Sequence, residues 1–234
     1  MRKILLLFGV LFLFSPGWIQ AQEQATRYLD SLERKYSTLK DYTVNINVHF
    51  DMEEFKAPDM QGKLYFKTPD KMKIESKKVF FLPKEGGFFN PFMFKKEDFE
   101  IKLLERSTYD GRQAVKLKLT PNQPKRNIQG FVLTIDTDRN LIREMNISSL
   151  EGREVKASIE YRQFSDFDLP TRIELWLDIP FNESREIREF GQSAERTKRV
   201  TGKVEITYSN YKVNSGLSDK IFKETEPSMS TGGP

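Results

Sequence analysis

Chemistry that needs a proton shuttle or a soft nucleophile has little to work with in this chain: one of its 234 residues is histidine, His49, and none is cysteine. His49 stands between Asn47 and Asp51 on the polar side of an alternating segment, a place where side chains face solvent. A Ser/His/Asp triad would have to use it, and a zinc site would have to combine it with carboxylates alone. Carboxylate pairs for acid–base work exist as Asp136 with Asp138 and Asp166 with Asp168. Both pairs fall in turn sequences, where Asp is favoured because its carboxylate bonds nearby backbone N–H groups. No glycine-rich phosphate loop occurs, and no basic stripe interleaved with aromatics. These residues describe a non-enzyme with no cofactor, no catalytic set and no metal site.

What the chain has instead is apolar capacity. Nineteen Phe, eight Tyr and seven Met stand in a sequence of mean hydropathy −0.59. Large aromatic and flexible side chains of this kind suit an irregular interior better than close aliphatic packing. The segment 79–94, VFFLPKEGGFFNPFMF, concentrates them, with Pro83, Gly86, Gly87 and Pro91 breaking any regular backbone. Loops normally run over the surface, so one this apolar is expected to fold down as a lid, with Phe88, Phe89, Phe92, Met93 and Phe94 turned inward. A plain core plug is the duller reading of the same residues.

The elements that must position this segment are strands. Tyr42, Val44, Ile46, Val48 and Phe50 alternate with polar residues, the period-two signature of a strand with one buried face. The pattern recurs at Leu64 and Phe66; Met72 and Ile74; Phe99 to Leu103; Val115, Leu117 and Leu119; Phe131, Leu133 and Ile135; and Leu141, Met145 and Ile147. It returns at Val155 to Tyr161, in a strand opened by Leu169-Pro170 with Ile173 to Ile179 inward, and at Val200 to Tyr208. Trp176 is opposite in parity to Leu175 and Leu177 and is expected to face outward, where it could anchor an interface. Before the first strand, Ala25, Leu29, Leu32, Tyr36 and Leu39 form a helical stripe. The fold class expected is mainly β (α+β): a curled, incomplete antiparallel barrel of about ten strands clasping an N-terminal helix. Its interior would be walled by Val44, Ile46, Val48, Leu64, Phe66, Met72, Ile74, Leu117, Leu133 and Met145.

The chain opens Met1-Arg2-Lys3, followed by an apolar run from Ile4 to Phe14 and by Ser15-Pro16-Gly17. That run is 11 residues long, against the ~20 needed to span a bilayer, so residues 1–21 read as a signal peptide cut after Ala21. A soluble periplasmic protein without a lipid anchor is expected. Loss of Arg2 and Lys3 brings the formal net charge from +4 to +2, which is no footprint for nucleic acid. One β domain over 22–222 follows, with 182–199 as a charged loop and 223–234 as a disordered tail. A single domain of this size can bury an adequate core without disulfides, and a monomer is expected.

Four stretches then resemble one family: Leu39-Lys40-Asp41-Tyr42, the hairpin Gly62-Lys63-Leu64-Tyr65-Phe66-Lys67-Thr68-Pro69-Asp70-Lys71-Met72, Asn90-Pro91-Phe92-Met93-Phe94, and Tyr208-Ser209-Asn210-Tyr211-Lys212-Val213-Asn214-Ser215-Gly216-Leu217 with Phe222. In this order they are similar to the LolA-type lipoprotein carriers and their relatives, LolB, the RseB/MucB sensor domains and the mycobacterial lipid carriers. The resemblance implies an incomplete barrel with a lid over a hydrophobic cavity. It also implies transfer of acylated lipoprotein or lipid from an inner-membrane donor to an outer-membrane acceptor, with no covalent step. An envelope sensor of the same ligands, or a structural envelope protein presenting 182–199 or Trp176 to a partner, are the other classes considered. Two departures stand out. Where the carriers often have a lid-holding arginine before the hairpin proline, this chain has Thr68 with Lys67 beside it, and it runs from Ile74 to Phe92 without the strand pair the family usually inserts.

Overall fold

The computed structural model describes residues 17–52, 58–76, 89–123, 128–150, 152–181 and 198–223. Helix α1 spans Gly17–Lys35. It starts eight residues ahead of the predicted stripe and runs without a break through the Ala21 position. Ala25, Leu29 and Leu32 on α1, and Tyr36 and Leu39 just beyond it, are buried as that stripe requires. Ten strands follow: β1 Asp41–Met52, β2 Met60–Lys67, β3 Lys71–Glu75, β4 Phe99–Tyr109, β5 Arg112–Pro121, β6 Ile128–Asp136, β7 Leu141–Ser149, β8 Glu154–Phe164, β9 Phe167–Phe181 and β10 Lys198–Val213. They form one antiparallel sheet in the order β3-β2-β1-β10-β9-β8-β7-β6-β5-β4.

Two boundaries differ from the expectation. Strand β9 begins before Leu169-Pro170, and Pro170 is accommodated where the β8–β9 register shifts at Glu160/Tyr161, the kind of irregular position at which a strand tolerates a missing N–H. Strand β10 begins at Lys198, so the last two residues of the expected 182–199 loop are strand; the rest of that loop, and the tail from residue 224, lie outside the described residues.

The strand order carries the functional geometry. Strands β4 to β10 run as an uninterrupted meander, and β1 then joins β10, with β2 and β3 beyond it. The two strands left at the edges, β3 and β4, are consecutive in sequence. The sheet is thus a barrel left unclosed at one seam, and the connection crossing that seam is the apolar segment. Alternation of antiparallel strands also sorts the connections into two ends. The α1–β1, β2–β3, β4–β5, β6–β7 and β8–β9 connections and the chain after β10 gather at one, the turn end. The strand ends that lead into the β1–β2, β3–β4, β5–β6, β7–β8 and β9–β10 connections lie at the other. The turn end is tightly built: Asp110 and Gly111, with φ of 51° and 73°, make the positive-φ pair that a two-residue hairpin demands.

The turn end also explains two of the four resemblance-carrying stretches as one device. Asp41, at the start of β1, is 3% exposed, and its carboxylate accepts from Ser215 N (2.8 Å), Ser215 Oγ (3.2 Å), Gly216 N (3.0 Å) and Leu217 N (3.1 Å). In return Asn214 Oδ1 accepts from Lys40 N at 2.8 Å, and Asn214 Nδ2 donates to the Thr38 carbonyl at 3.2 Å. Asn214 (φ 51°) and Gly216 (φ 77°) supply the left-handed backbone that turns these N–H groups toward the carboxylate.

Candidate functional site

The inward-facing residues form one hydrophobic core. Val44, Ile46 and Val48 on β1, Leu64 and Phe66 on β2, Leu117 on β5, Leu133 on β6 and Met145 on β7 are buried in it, and Met72 and Ile74 on the edge strand β3 pack against it half-buried. Phe89 is buried among them; Phe92 and Phe94 are half-buried against the same core, and Met93 is half-buried beside them. Phe88 lies outside the described residues, as do 77–87.

The path of the segment shows what it does to the interior. Strand β3 ends, and β4 begins, at the end opposite the turns. Yet Phe89 packs edge-on against Tyr36 (centroids 5.6 Å) and Tyr161 (5.8 Å), both turn-end residues. Phe89 therefore sits at the floor of the barrel, at the end opposite to the one where β4 begins, and the chain climbs from there to β4. On the way Asn90-Pro91-Phe92-Met93 makes a tight turn, with Asn90 Oδ1 accepting from Phe92 N at 2.9 Å and the Asn90 carbonyl from Met93 N at 3.2 Å. Phe92 then stacks on Phe66 of β2 (6.5 Å), and Phe94 meets Phe131 of β6 (5.1 Å) and Phe99 of β4 (5.9 Å). One segment so fills the gap between the two halves of the open sheet with rings.

What holds it is sparse. Among the described residues one side-chain hydrogen bond runs from the sheet to Phe89–Phe94: Tyr42 Oη donates to the Phe89 carbonyl at 3.0 Å, fully buried. The positions matching the family's lid arginine do other work. Thr68 Oγ1 donates to the Leu39 carbonyl (2.6 Å), while Lys67 Nζ donates to the Leu217 carbonyl (2.8 Å) and pairs with Asp219 (2.7 Å). Both side chains brace the turn end, and among the described residues neither is hydrogen-bonded to Phe89–Phe94.

Around Phe89 the floor is a cage of tyrosines that sequence reasoning did not single out: Tyr42, Tyr161 and Tyr208, read as strand residues, Tyr36, read in the helical stripe, and Tyr211, read in the closing stretch. The signal was present in the recurrence of Tyr at inward positions of β1, β8 and β10. Burial pushes the phenols of Tyr36, Tyr42, Tyr161, Tyr208 and Tyr211 up, keeping them protonated donors. Beside the cage, Arg143 sits at an inward position of β7 between Leu141 and Met145. Its guanidinium bonds the fully buried Asp136 carboxylate (2.8 Å) and lies over the Tyr161 ring (5.7 Å). Asp168 is held by Arg139 and by Lys35 (2.7 Å).

A cavity of about 240 Å³ remains between α1 and the segment, lined by Leu29, Leu32, Pro69, Pro91, Phe92, Phe94 and Ile142, with Glu33 and Lys95 at its rim. His49 is exposed, with Nδ1 2.7 Å from Asp59, and Trp176 faces outward at 39% exposure beneath the Lys156 ammonium. Among the described residues no group of three or more His, Cys, Asp or Glu could hold a metal ion, and no helix is long and apolar enough to cross a membrane.

No protein-family model and no curated protein matches the chain. Solved structures do. A domain described as an outer membrane lipoprotein-sorting protein from Vibrio parahaemolyticus superposes with a TM-score of 0.62 at 12% identity, over 86% of this chain and 97% of its own. A DUF1329 family protein from Desulfovibrio piger gives 0.60 at 12% identity, over 87% and 97%. A LolA superfamily protein from Nitrosomonas europaea gives 0.54 at 14% identity, over 86% and 97%. An open ten-stranded barrel with one N-terminal helix, matched along nearly the whole of each of these chains, is a LolA-like fold.

Proposed function

We propose that this protein is a periplasmic carrier, exported by a signal peptide cut after Ala21. It takes up the acyl chains of lipoproteins or lipids from an inner-membrane donor and releases them to an outer-membrane acceptor, acting as a monomer and without covalent chemistry. The observation that carries the reading is the seam. The barrel is left open between β3 and β4, and the connection crossing it fills the interior with Phe89, Phe92 and Phe94 while holding to the sheet through one side-chain hydrogen bond among the described residues. A cavity near 240 Å³ is smaller than the ~300–1,000 Å³ of ordinary ligand sites, so an acyl chain enters by displacing these rings. The inward set from Val44 to Met145 then becomes the cavity wall and the segment its lid.

The energetics suit reversible carriage. Burying a chain of ~16 carbons is worth on the order of 12 kcal/mol, more than a carrier can keep. Expelling and re-solvating the aromatic segment offsets much of it, leaving a surplus small enough for release. The lipoprotein-sorting description of the Vibrio domain supports the same class of cargo. Native mass spectrometry with lipid extraction, on protein purified from the periplasm, tests the reading. Co-purifying acyl lipid or lipoprotein is the expected result; ligand-free protein that also ignores added acyl chains overturns it.

A further inference from the structure

The floor beneath Phe89 is not uniformly apolar, and the state of its five phenols differs in a way that bears on the ligand. Three are satisfied by the fixed frame: Tyr36 Oη donates to the Asp168 carbonyl (2.7 Å), Tyr161 Oη to the Ile142 carbonyl (2.8 Å) and Tyr211 Oη to the Pro170 carbonyl (2.8 Å). These bonds survive whatever the segment does. The other two depend on Phe89 or on nothing. Tyr42, fully buried, spends its hydroxyl on the Phe89 carbonyl. Tyr208, 5% exposed, has the Phe89 backbone N–H facing its hydroxyl oxygen, but its O–H finds no acceptor among the described residues.

Withdrawal of the segment therefore strands the Tyr42 hydroxyl beside that of Tyr208, leaving two hydroxyls without an acceptor at the bottom of an apolar chamber. A buried hydroxyl without a partner is costly, and a site that presents hydrogen-bonding groups rejects ligands lacking the matching atom far more strongly than an apolar pocket rejects a misfit. Phe89 itself shows what the floor accepts: a carbonyl oxygen flanked by apolar bulk. We propose that the floor is a carbonyl-recognition subsite, in which Tyr42 and Tyr208 take up an ester or amide carbonyl of the acyl ligand in place of the Phe89 carbonyl. The ligand is then selected as an acyl ester or amide and not as a hydrocarbon chain alone. Tyr208 is the specificity-determining residue, since its hydroxyl has no acceptor among the described residues in the closed state. This inference rests on the displacement of the segment described above.

Calorimetric titration of the mature chain with methyl dodecanoate, dodecanamide and tridecane, each delivered from cyclodextrin, tests it and separates ester from amide. At least one of the two carbonyl ligands is expected to bind the wild type about tenfold more tightly than tridecane, with the tighter of the two naming the source. Tyr208→Phe, which removes one oxygen and no packing volume, is expected to reduce that preference by threefold or more while leaving tridecane binding unchanged; the double variant Tyr42→Phe/Tyr208→Phe should abolish it. A preference of the same size in wild type and Tyr208→Phe, or tridecane binding as tightly as both carbonyl ligands, overturns the subsite and leaves the carrier reading standing. Failure of all three ligands to bind the wild type overturns both.

Discussion

At the turn end of the sheet a single carboxylate, Asp41, accepts four hydrogen bonds from the chain after β10, whereas the whole stretch Phe89–Phe94 receives one from a sheet side chain among the described residues. Asp41 and Phe89 are both buried and both join distant parts of the sequence, but the two regions are held by different physics. Hydrogen bonds to a buried charge are directional and are lost outright when the geometry is lost. Ring contacts depend on apolar area, and another apolar surface can replace them at little cost. The frame uses the first kind and the segment Phe89–Phe94 the second. That division is what the proposed carrier, a container with a removable filling, requires.

The largest effect expected from breaking this comparison is on the frame. Asp41→Ala leaves the N–H groups of Ser215, Gly216 and Leu217 without their acceptor and is expected to cost about 4 kcal/mol in urea denaturation, several lost bonds at ~1–3 kcal/mol each being partly recovered by water. It should leave the uptake of an apolar reporter such as N-phenyl-1-naphthylamine unchanged in the protein that remains folded.

Next is the buried pair Asp136–Arg143. Burial by itself would raise the Asp136 carboxyl, but the Arg143 hydrogen bond, the Arg139 N–H (3.1 Å) and the Arg143 and Arg112 charges outweigh it and hold it below the ordinary carboxylate value of 3.8. A carboxyl depressed in the folded state stabilises fully above its unfolded pKa of ~3.9, and that contribution is lost as pH falls through the folded value. Asp136→Asn is therefore expected to cost about 3 kcal/mol at neutral pH by stranding Arg143. The gap to wild type should close as pH drops below about 4, read from urea midpoints across an acid series.

These two regions also mark where the sequence was legible. All ten strands could be read in order because each buries one face, so that period two is enforced by the core. That Phe89, Phe92 and Phe94 turn inward could be read because their segment is too apolar for a surface loop. Its depth could not: that Phe89 reaches Tyr36 and Tyr161 depends on the path of a connection that carries no periodicity. Helix α1 starts earlier than its stripe, and Gln22, Glu23 and Gln24 ahead of Ala25 are exposed and leave no apolar periodicity to read. The Asp41–Asn214 lock joins residues more than 170 apart, beyond any local pattern. Asp136 was read as a turn residue; it ends β6 and accepts from Arg139 N in the turn that follows, while its buried role went unseen. The clue was Arg143, a charge at an inward position between Leu141 and Met145, which must have a buried partner.

Phe89→Ala sharpens the contrast from the other side. Truncating a buried Phe ordinarily costs ~3–5 kcal/mol, but here the loss is expected to be nearer 2 kcal/mol. A segment that no longer grips the floor can leave it and recover the ~1–2 kcal/mol of backbone entropy per residue spent on its ordering. The same variant should raise naphthylamine fluorescence several-fold over wild type, the reverse of Asp41→Ala. A full 4 kcal/mol loss with no added dye uptake would make Phe89 an ordinary core residue and remove the distinction between filling and frame.

The smallest effect lies on the outer face, remote from both regions. His49 is raised above its ordinary value of 6.5, chiefly by its hydrogen bond to Asp59 and then by the charges of Asp59, Asp51 and Glu205. A base raised in the folded state contributes stability that is complete below its unfolded pKa and is lost as pH rises through the folded one. The pair is solvent-exposed, so screening leaves that contribution too small to register as a shift in Tm. It should be visible only in the titration itself: the His49 ring proton signals are expected to titrate above 6.5 in the wild type and to move back toward it in Asp59→Asn, with urea midpoints and dye uptake unchanged. A coupled change in dye uptake between pH 6 and 8 would instead tie the one histidine of the chain to the opening of the seam, and the outer face would have to be counted with the filling.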